Sequence, residues 1–350
     1  MKESSRNKTG GWRNGSAGAA RTEAELASGY LLDDRFRIRE TVGRSGMATI
    51  YRAEDAAQGD DTVAIKVPRP VIENDPVNFA RFLQEEKIGA KLAHPSLVKV
   101  RPSPGNRSRP YIVMEYLRGR TLAHWLHETR PLPEAEALRI ASAVCEALRH
   151  MHEHGVIHRD LKPANIMICD DRTLRLFDFG LASAPLRQRS VLAKLTSPFG
   201  TPEYMAPEQV ANDVVDERTD IYGLGAILFE MLTGEVPFRQ DDVWASAYAR
   251  MSGDPIAPRK LRPALSPQAE EIVLHAMQRD PNDRYPTAAA FRAELDAPER
   301  VRITGYCERL QAPRWRLSFQ ATPILAGLLV GFGVLALLFA MFFVLRFLLK

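Results

Sequence analysis

The stretch that most constrains this chain is His158-Arg159-Asp160-Leu161-Lys162-Pro163-Ala164-Asn165. It sets a carboxylate, a cation and an amide oxygen within a few residues of one another, on what reads as a loop. Upstream, an apolar helical face (Leu138, Ala141, Val144, Cys145, Leu148 and Met151) runs over 134–154, and Gly155 suits its C-terminal stop. Downstream, a strand–turn–strand pattern separates Asn165 from a second carboxylate, Asp178. A fold that carries this loop must therefore hold it between a helix and a hairpin. Chemically, the three groups are what phosphoryl transfer from a nucleotide needs. A carboxylate accepts the hydroxyl proton, a cation meets developing phosphate charge, and an amide oxygen helps hold a metal.

Before that loop the text is of another kind. From Phe36, apolar residues alternate through Ile38, Val42, Ile50 and Tyr51, then Val63, Ile65 and Val67, with tight turns at 43–46 and 58–61. Asp75-Pro76 predicts a helix start, with Asp as N-cap and Pro in the first turn. Strand text resumes and ends at Tyr111-Ile112-Val113-Met114. After 116 the chain is mostly helical, with patterns over 134–154, 220–232, 268–279 and 287–296. The expected fold class is α+β: a small sheet-rich lobe over 35–115, a larger helical lobe over 116–297, and a cleft between them where a nucleotide would sit.

At 350 residues, 45% hydrophobic and 26% charged, the chain has the composition of a globular protein, and its net charge of +4 gives no general case for nucleic-acid binding. Cys145, Cys169 and Cys307 show neither paired nor metal-ligand spacing, as suits a reducing compartment. Residues 1–34 mix Lys and Arg with Gly, Ser, Asn and Ala and predict a disordered basic tail. The far end departs from the globular pattern. From 324 to 345 no charged residue occurs, and a helix of that length spans about 33 Å against a hydrocarbon core of about 30 Å. We expect a transmembrane helix over 323–349, a juxtamembrane linker over 298–322, and almost nothing beyond the span. ATP is cytosolic, so the globular part is expected on the cytoplasmic face, in keeping with Arg300, Arg302, Arg309, Arg314 and Arg316. Gly327 and Gly331 have the small-residue spacing that allows a homodimer through the span.

Taken together, these motifs resemble the eukaryotic-like (Hanks-type) serine/threonine protein kinases, above all the membrane-anchored bacterial type, over about residues 36–297. The resemblance implies a two-lobed kinase fold, ATP and Mg2+ (or Mn2+) as cofactors, and protein substrates with Ser or Thr acceptors. It implies that Asp160 orients the substrate hydroxyl and takes its proton, and that Lys162 neutralises γ-phosphoryl charge. Asn165 and Asp178, the latter in Asp178-Phe179-Gly180, would hold magnesium. Lys66, in Val63-Ala64-Ile65-Lys66, would hold the α- and β-phosphates and pair with a helix glutamate. Periodicity leaves both Glu85 and Glu86 open for that pairing; the family register Arg81-Phe82-Leu83-Gln84-Glu85 favours Glu85. Val42, Gly43, Arg44, Ser45, Gly46 and Ile50 would line the nucleotide, with Glu115 at the lobe junction. Here Ser45 and Ala48 stand where the family carries glycine. His158 would be structural, packing near Phe179.

The same resemblance makes 181–208 an activation segment. Arg159, beside Asp160, is a costly charge until an anion arrives, and a phosphate brings about −1.5 to −2. Thr196, then Ser197 and Ser190, are the expected phosphorylation sites. Thr201 would contact Asp160 and Lys162 and select Ser/Thr acceptors. Asp220 would hold the loop backbone, and Glu208 would pair with Arg284. The alternative from another class is a pseudokinase scaffold, which only the altered glycine loop favours.

Overall fold

The computed structural model describes residues 25–178, 202–240 and 242–313. The first lobe is an antiparallel sheet of β1 (Leu31–Leu32), β2 (Phe36–Arg44), β3 (Ala48–Asp55), β4 (Asp61–Pro68), β5 (Val100–Arg101) and β6 (Ile112–Glu115), ordered β1-β2-β3-β4-β6-β5. Strand β4 is covered on both faces, which is why its text is almost continuously apolar. Val63, Ile65 and Val67 pack with Phe36, Ile38 and Tyr111 on one face. The alternate residues, Ala64 and Lys66, turn to the other.

Against that second face lies α2 (Pro76–Gly89), preceded by the single turn α1 (Pro70–Glu73). The α2 start is where local chemistry demands it: Asp75 accepts hydrogen bonds from the N–H groups of Val77 and Asn78, and Pro76 occupies the first turn. Phe82, Glu85 and Ile88, three residues apart, form its buried face. Glu85 is thereby aimed at β4.

The second lobe opens with β7 (Gly119–Thr121), α3 (Leu122–Glu128) and α4 (Glu134–Glu153). The hairpin β8 (Ile166–Cys169) and β9 (Leu174–Leu176) joins β7 in a three-stranded sheet. β7 can approach β8 only because residue 119 is glycine. Its φ is +152°, and a Cβ there would lie 2.2 Å from the Ile168 carbonyl oxygen. Helices α5 (Pro207–Ala211), α6 (Glu217–Thr233), α7 (Val243–Ser252), α8 (Pro258–Leu261), α9 (Pro267–Ala276) and α10 (Ala288–Asp296) complete the lobe. Helix α6 is buried continuously from Thr219 to Leu232, the pattern of a helix packed on all sides. The lobes share one core, and a parallel bridge from Leu97 to Leu176 ties the loop after α2 to β9.

Two boundaries differ from the sequence reading. The basic tail expected over 1–34 does not reach residue 34: β1 pairs with β2, Leu32 is fully buried and Leu26 packs on the same cluster. The signal was two leucines, too short a run for periodicity to separate from a tail. The linker expected over 298–322 is docked through residue 313. Val301 is buried, Thr304 donates its N–H and hydroxyl to Glu271, and the Tyr306 ring stacks on His275 at 5.2 Å. Among the described residues no helix is long and apolar enough to cross a membrane, and the expected span over 323–349 lies outside them.

If residues 25–34 belong to the folded lobe, Leu32→Ala leaves a cavity in its core and lowers unfolding stability by about 2–5 kcal/mol. Urea denaturation checks this; an unchanged midpoint would restore the tail to 34.

Candidate active site

Lys66 sits mid-strand on β4, 7% exposed, where an unpaired ammonium would be costly. It is paired twice. Its Nζ donates to both carboxylate oxygens of Glu85, at 2.7 and 2.8 Å, and to Asp178 Oδ1 at 2.9 Å. Glu86 instead pairs with Arg107 at 3.0 Å. One cation therefore serves two carboxylates, and their proton affinities separate. Burial pushes the Glu85 carboxyl up to about 7, with Lys66 opposing and the Asp178 charge adding. Burial also acts on Asp178, but Lys66, with Lys162 and His158 beyond it, outweighs burial and holds that carboxyl at about 2.

The loop at 158–165 is held from beneath. Asp220, in the first turn of α6, accepts the backbone N–H groups of His158 and Arg159, both at 2.8 Å. Arg159 has φ +63°, a left-handed conformation uncommon for a residue with a side chain. The two oxygens of one buried carboxylate thus fix the strained turn just ahead of Asp160. His152, on α4, faces the same carboxylate at 2.8 Å. Burial would raise the Asp220 pKa; His152 and the loop N–H groups outweigh it, and the group stays ionised.

Above this support, Lys162 Nζ donates to Asp160 Oδ2 at 2.6 Å. Asn165 Nδ2 donates to the Asp160 carbonyl at 2.9 Å, which leaves its amide oxygen as the free end. His158 spends both ring nitrogens on backbone: Nδ1 accepts from the Asp160 N–H and Nε2 faces the Phe177 carbonyl, each at 3.3 Å. A histidine so engaged is not a proton acceptor for substrate. Burial disfavours the Arg159 cation, Asp220 only partly offsetting it, and its Nε has no hydrogen-bond partner among the described residues. Glu208 accepts both Arg284 Nη atoms at 2.8 Å, and the guanidinium also caps three backbone carbonyls.

These contacts bring Lys66, Glu85, Asp178, Asp160, Lys162 and Asn165 to one place from β4, α2 and the two edges of a hairpin. A protein-kinase-domain model matches residues 36–295. The chain belongs to the protein kinase family. It is 38% identical over 288 residues to the serine/threonine-protein kinase PknB of Mycolicibacterium smegmatis, covering 79% of this chain and 46% of that one. The PknB of Mycobacterium leprae is 40% identical over 268 residues, 75% of this chain and 43% of the relative. A probable serine/threonine-protein kinase PknB of Lactococcus lactis is 38% identical over 257 residues, 73% of this chain and 41% of the relative. The chain thus spans less than half the length of these curated relatives.

Not every expected residue of the kinase converges. In the nucleotide loop, Gly43 lies in β2, where a Cβ would meet Ile50 at an ordinary 3.7 Å, so the fold of the strand does not itself demand glycine. Ser45 closes the turn: its N–H donates to the Ala48 carbonyl at 2.9 Å and its Oγ accepts from the Ala48 N–H at 3.1 Å. Arg44 pairs outward with Glu25 at 2.6 Å, and Val42 is exposed while Ile50 packs on the core. The Glu115 carboxylate is turned to the Lys99 N–H at 2.8 Å. Phe179, Ser190, Thr196, Ser197 and Thr201 lie outside the described residues. Sequence reasoning missed His152 and also Gln209, which donates to the Arg159 carbonyl at 2.9 Å. Both partners are far along the chain, and no local pattern marks them.

Two outcomes follow. Removing one side of the buried Glu208–Arg284 pair strands a charge, so Arg284→Ala costs about 3–5 kcal/mol in urea denaturation, while Asp160→Asn at the rim costs little. For Glu85, a folded pKa near 7 against the usual 4.5 means the native state holds the proton more tightly. Stability of the wild type relative to Glu85→Gln should then fall as pH rises from about 4.5 to about 7 and level off above; a difference that rises with pH would refute the assignment.

Proposed function

We propose that this chain is an ATP-dependent serine/threonine protein kinase, anchored to a membrane with its catalytic domain on the cytoplasmic side. The observation that carries the catalytic reading is the Lys66–Glu85–Asp178 constellation facing the Asp160–Lys162 pair. Asp160 accepts the proton of a substrate Ser or Thr hydroxyl as its oxygen bonds to the γ-phosphorus and the bond to ADP breaks. Lys162, already 2.6 Å from Asp160, keeps that carboxylate oriented and meets charge on the transferred group. Lys66, steadied by Glu85, holds the phosphates of the nucleotide.

The donors fit magnesium: Asp178 offers a carboxylate and Asn165 an amide oxygen, both hard ligands. Magnesium keeps few protein ligands and relies on phosphate oxygens and water, so two such side chains suffice. Held by Asp178 and Asn165, the ion would neutralise phosphate charge.

A cavity of about 230 Å³ beside Lys162, lined by Glu203, Tyr204, Glu230 and Arg130, offers the acceptor peptide a place to enter. Arg159, buried and with Nε unpartnered among the described residues, supports phosphorylation of the activation segment, first at Thr196, second at Ser197 and third at Ser190. The kinase would place that phosphate itself. The uncharged stretch at 324–345 supports the anchor.

Phosphate content of the expressed protein tests the catalytic reading. Mass spectrometry should find phosphate on the wild type within 181–201 and none on Asp160→Asn. Equal phosphate on both, or on neither when ATP and Mg2+ are supplied, would favour a scaffold without catalysis.

A further inference from the structure

Helix α7 shows solvent an unusual face. Trp244, Tyr248 and Met251 are 43, 40 and 42% exposed. Their i, i+4, i+7 spacing places them on one stripe. Ile256, 56% exposed, carries the stripe into the next loop. The solvent face of a helix is ordinarily polar, and a contiguous apolar patch marks a contact surface. The stripe is not a misplaced core face, because the opposite side is fully employed. Ala247 packs on Val210, Ser246 Oγ donates to the Phe238 carbonyl at 2.8 Å, and Arg250 donates to the Glu203 carbonyl at 3.0 Å.

Where the chain leaves the lobe identifies the occupant. The docked strap 298–313 ends against the C-terminus of α7. Asp254 donates its N–H to the Gln311 carbonyl, and Gln311 returns its N–H to the Asp254 carboxylate, each at 2.8 Å. At Gly253 a Cβ would lie 2.3 Å from the Pro313 nitrogen. The φ there is −158°, so the glycine is required for space and not for conformation. Residue 314 therefore starts beside α7, and the uncharged stretch starts at 324. The positions between reach at most about 35 Å when fully extended. They include Arg314, Trp315, Arg316 and Phe319, a mix of basic and aromatic residues suited to a membrane–water boundary.

We propose, resting on the membrane anchor inferred above, that the exposed stripe of α7 lies on the bilayer, against lipid headgroups and upper acyl chains. Trp and Tyr, apolar with one polar atom, suit that level. Exposed Arg259 and Lys260 on α8, just past Ile256, meet anionic headgroups. Of the nearby acids among the described residues, Asp254 pairs with Arg279 at 3.2 Å, and Asp242 caps α7 by accepting the Ala245 N–H; Asp241 lies outside the described residues. Through Arg250, the docked helix also holds Glu203, which lines the cavity beside Lys162. Docking would therefore fix the peptide entrance at a set height above the surface and favour substrates that lie along it.

The test uses the full chain in vesicles of phosphatidylcholine and phosphatidylglycerol. The chain has four tryptophans, and Trp12→Phe, Trp125→Phe and Trp315→Phe leave Trp244 as the sole emitter. Flotation reports the anchor; Trp244 emission, compared between ordinary and brominated lipid, reports the docking. Support is flotation together with loss of Trp244 emission in brominated lipid, and recovery of that emission in Tyr248→Ser/Met251→Ser with flotation unchanged. Flotation with equal emission in both lipids overturns the docking and leaves the anchor standing. In that case blue-shifted emission assigns the stripe to residues 314–323 or a second copy, and red-shifted emission leaves it in water. Failure to float overturns the anchor and the docking together.

Discussion

One buried carboxylate sets the geometry of the site. Asp220 lies in the first turn of a helix packed on every side, so it cannot move without moving the lobe. A carboxylate at a helix N-terminus is stabilised by the helix dipole and by the N–H groups it faces. Its two oxygens accept consecutive N–H groups from the loop, and that requirement forces the left-handed turn at Arg159. Everything above inherits its position from this contact: Asp160 follows the turn, Lys162 bonds Asp160, and Asn165 bonds the Asp160 carbonyl. The strain at Arg159, of order 1–3 kcal/mol, persists because the surroundings over-determine it. His152 from α4 and Gln209 from α5 complete the clamp from the other two sides.

Above the loop, the governing fact is a shortage of positive charge. Among the described residues Lys66 alone bonds both Glu85 and Asp178, and burial penalises every ionised member. Asp178 keeps its charge because Lys162 also faces it. Burial raises Glu85 toward neutrality, with Lys66 its one cationic partner among the described residues. The two carboxylates are chemically alike, and position alone makes one a persistent anion and the other a group balanced near pH 7.

Much of this was legible because it is local. Apolar text put Lys66 within a strand, Asp75-Pro76 located the start of α2, and the helical face around Cys145 located α4. The loop at 158–165 announced its chemistry through adjacent residues. What was not legible depends on contacts across long separations. No period distinguishes Glu85 from Glu86; that was settled by which one faces β4 and which meets Arg107. His152 and Asp220 are 68 positions apart. Ser45 was read against a glycine pattern, whereas its hydroxyl closes the turn by a bond that glycine cannot make. The two boundary errors share a cause. Leu31–Leu32 and residues 298–313 are short pieces without internal periodicity, and they are structured by the surfaces they cover.

The strap at 298–313 changes how the lobe and its exit must be pictured. A free linker would let the domain tumble, leaving the active site with no fixed direction. Thr304 on Glu271, Tyr306 on His275 and the paired bonds between Gln311 and Asp254 remove that freedom. Gly253 then serves as the seat on which Pro313 rests, since a Cβ there would lie 2.3 Å from the Pro313 nitrogen and lift the strap away. The helix that receives the strap also grips the backbone at Glu203, close to Lys162. The strap and the Glu203 backbone are therefore both held at the C-terminal end of one helix, by Gly253–Asp254 and by Arg250.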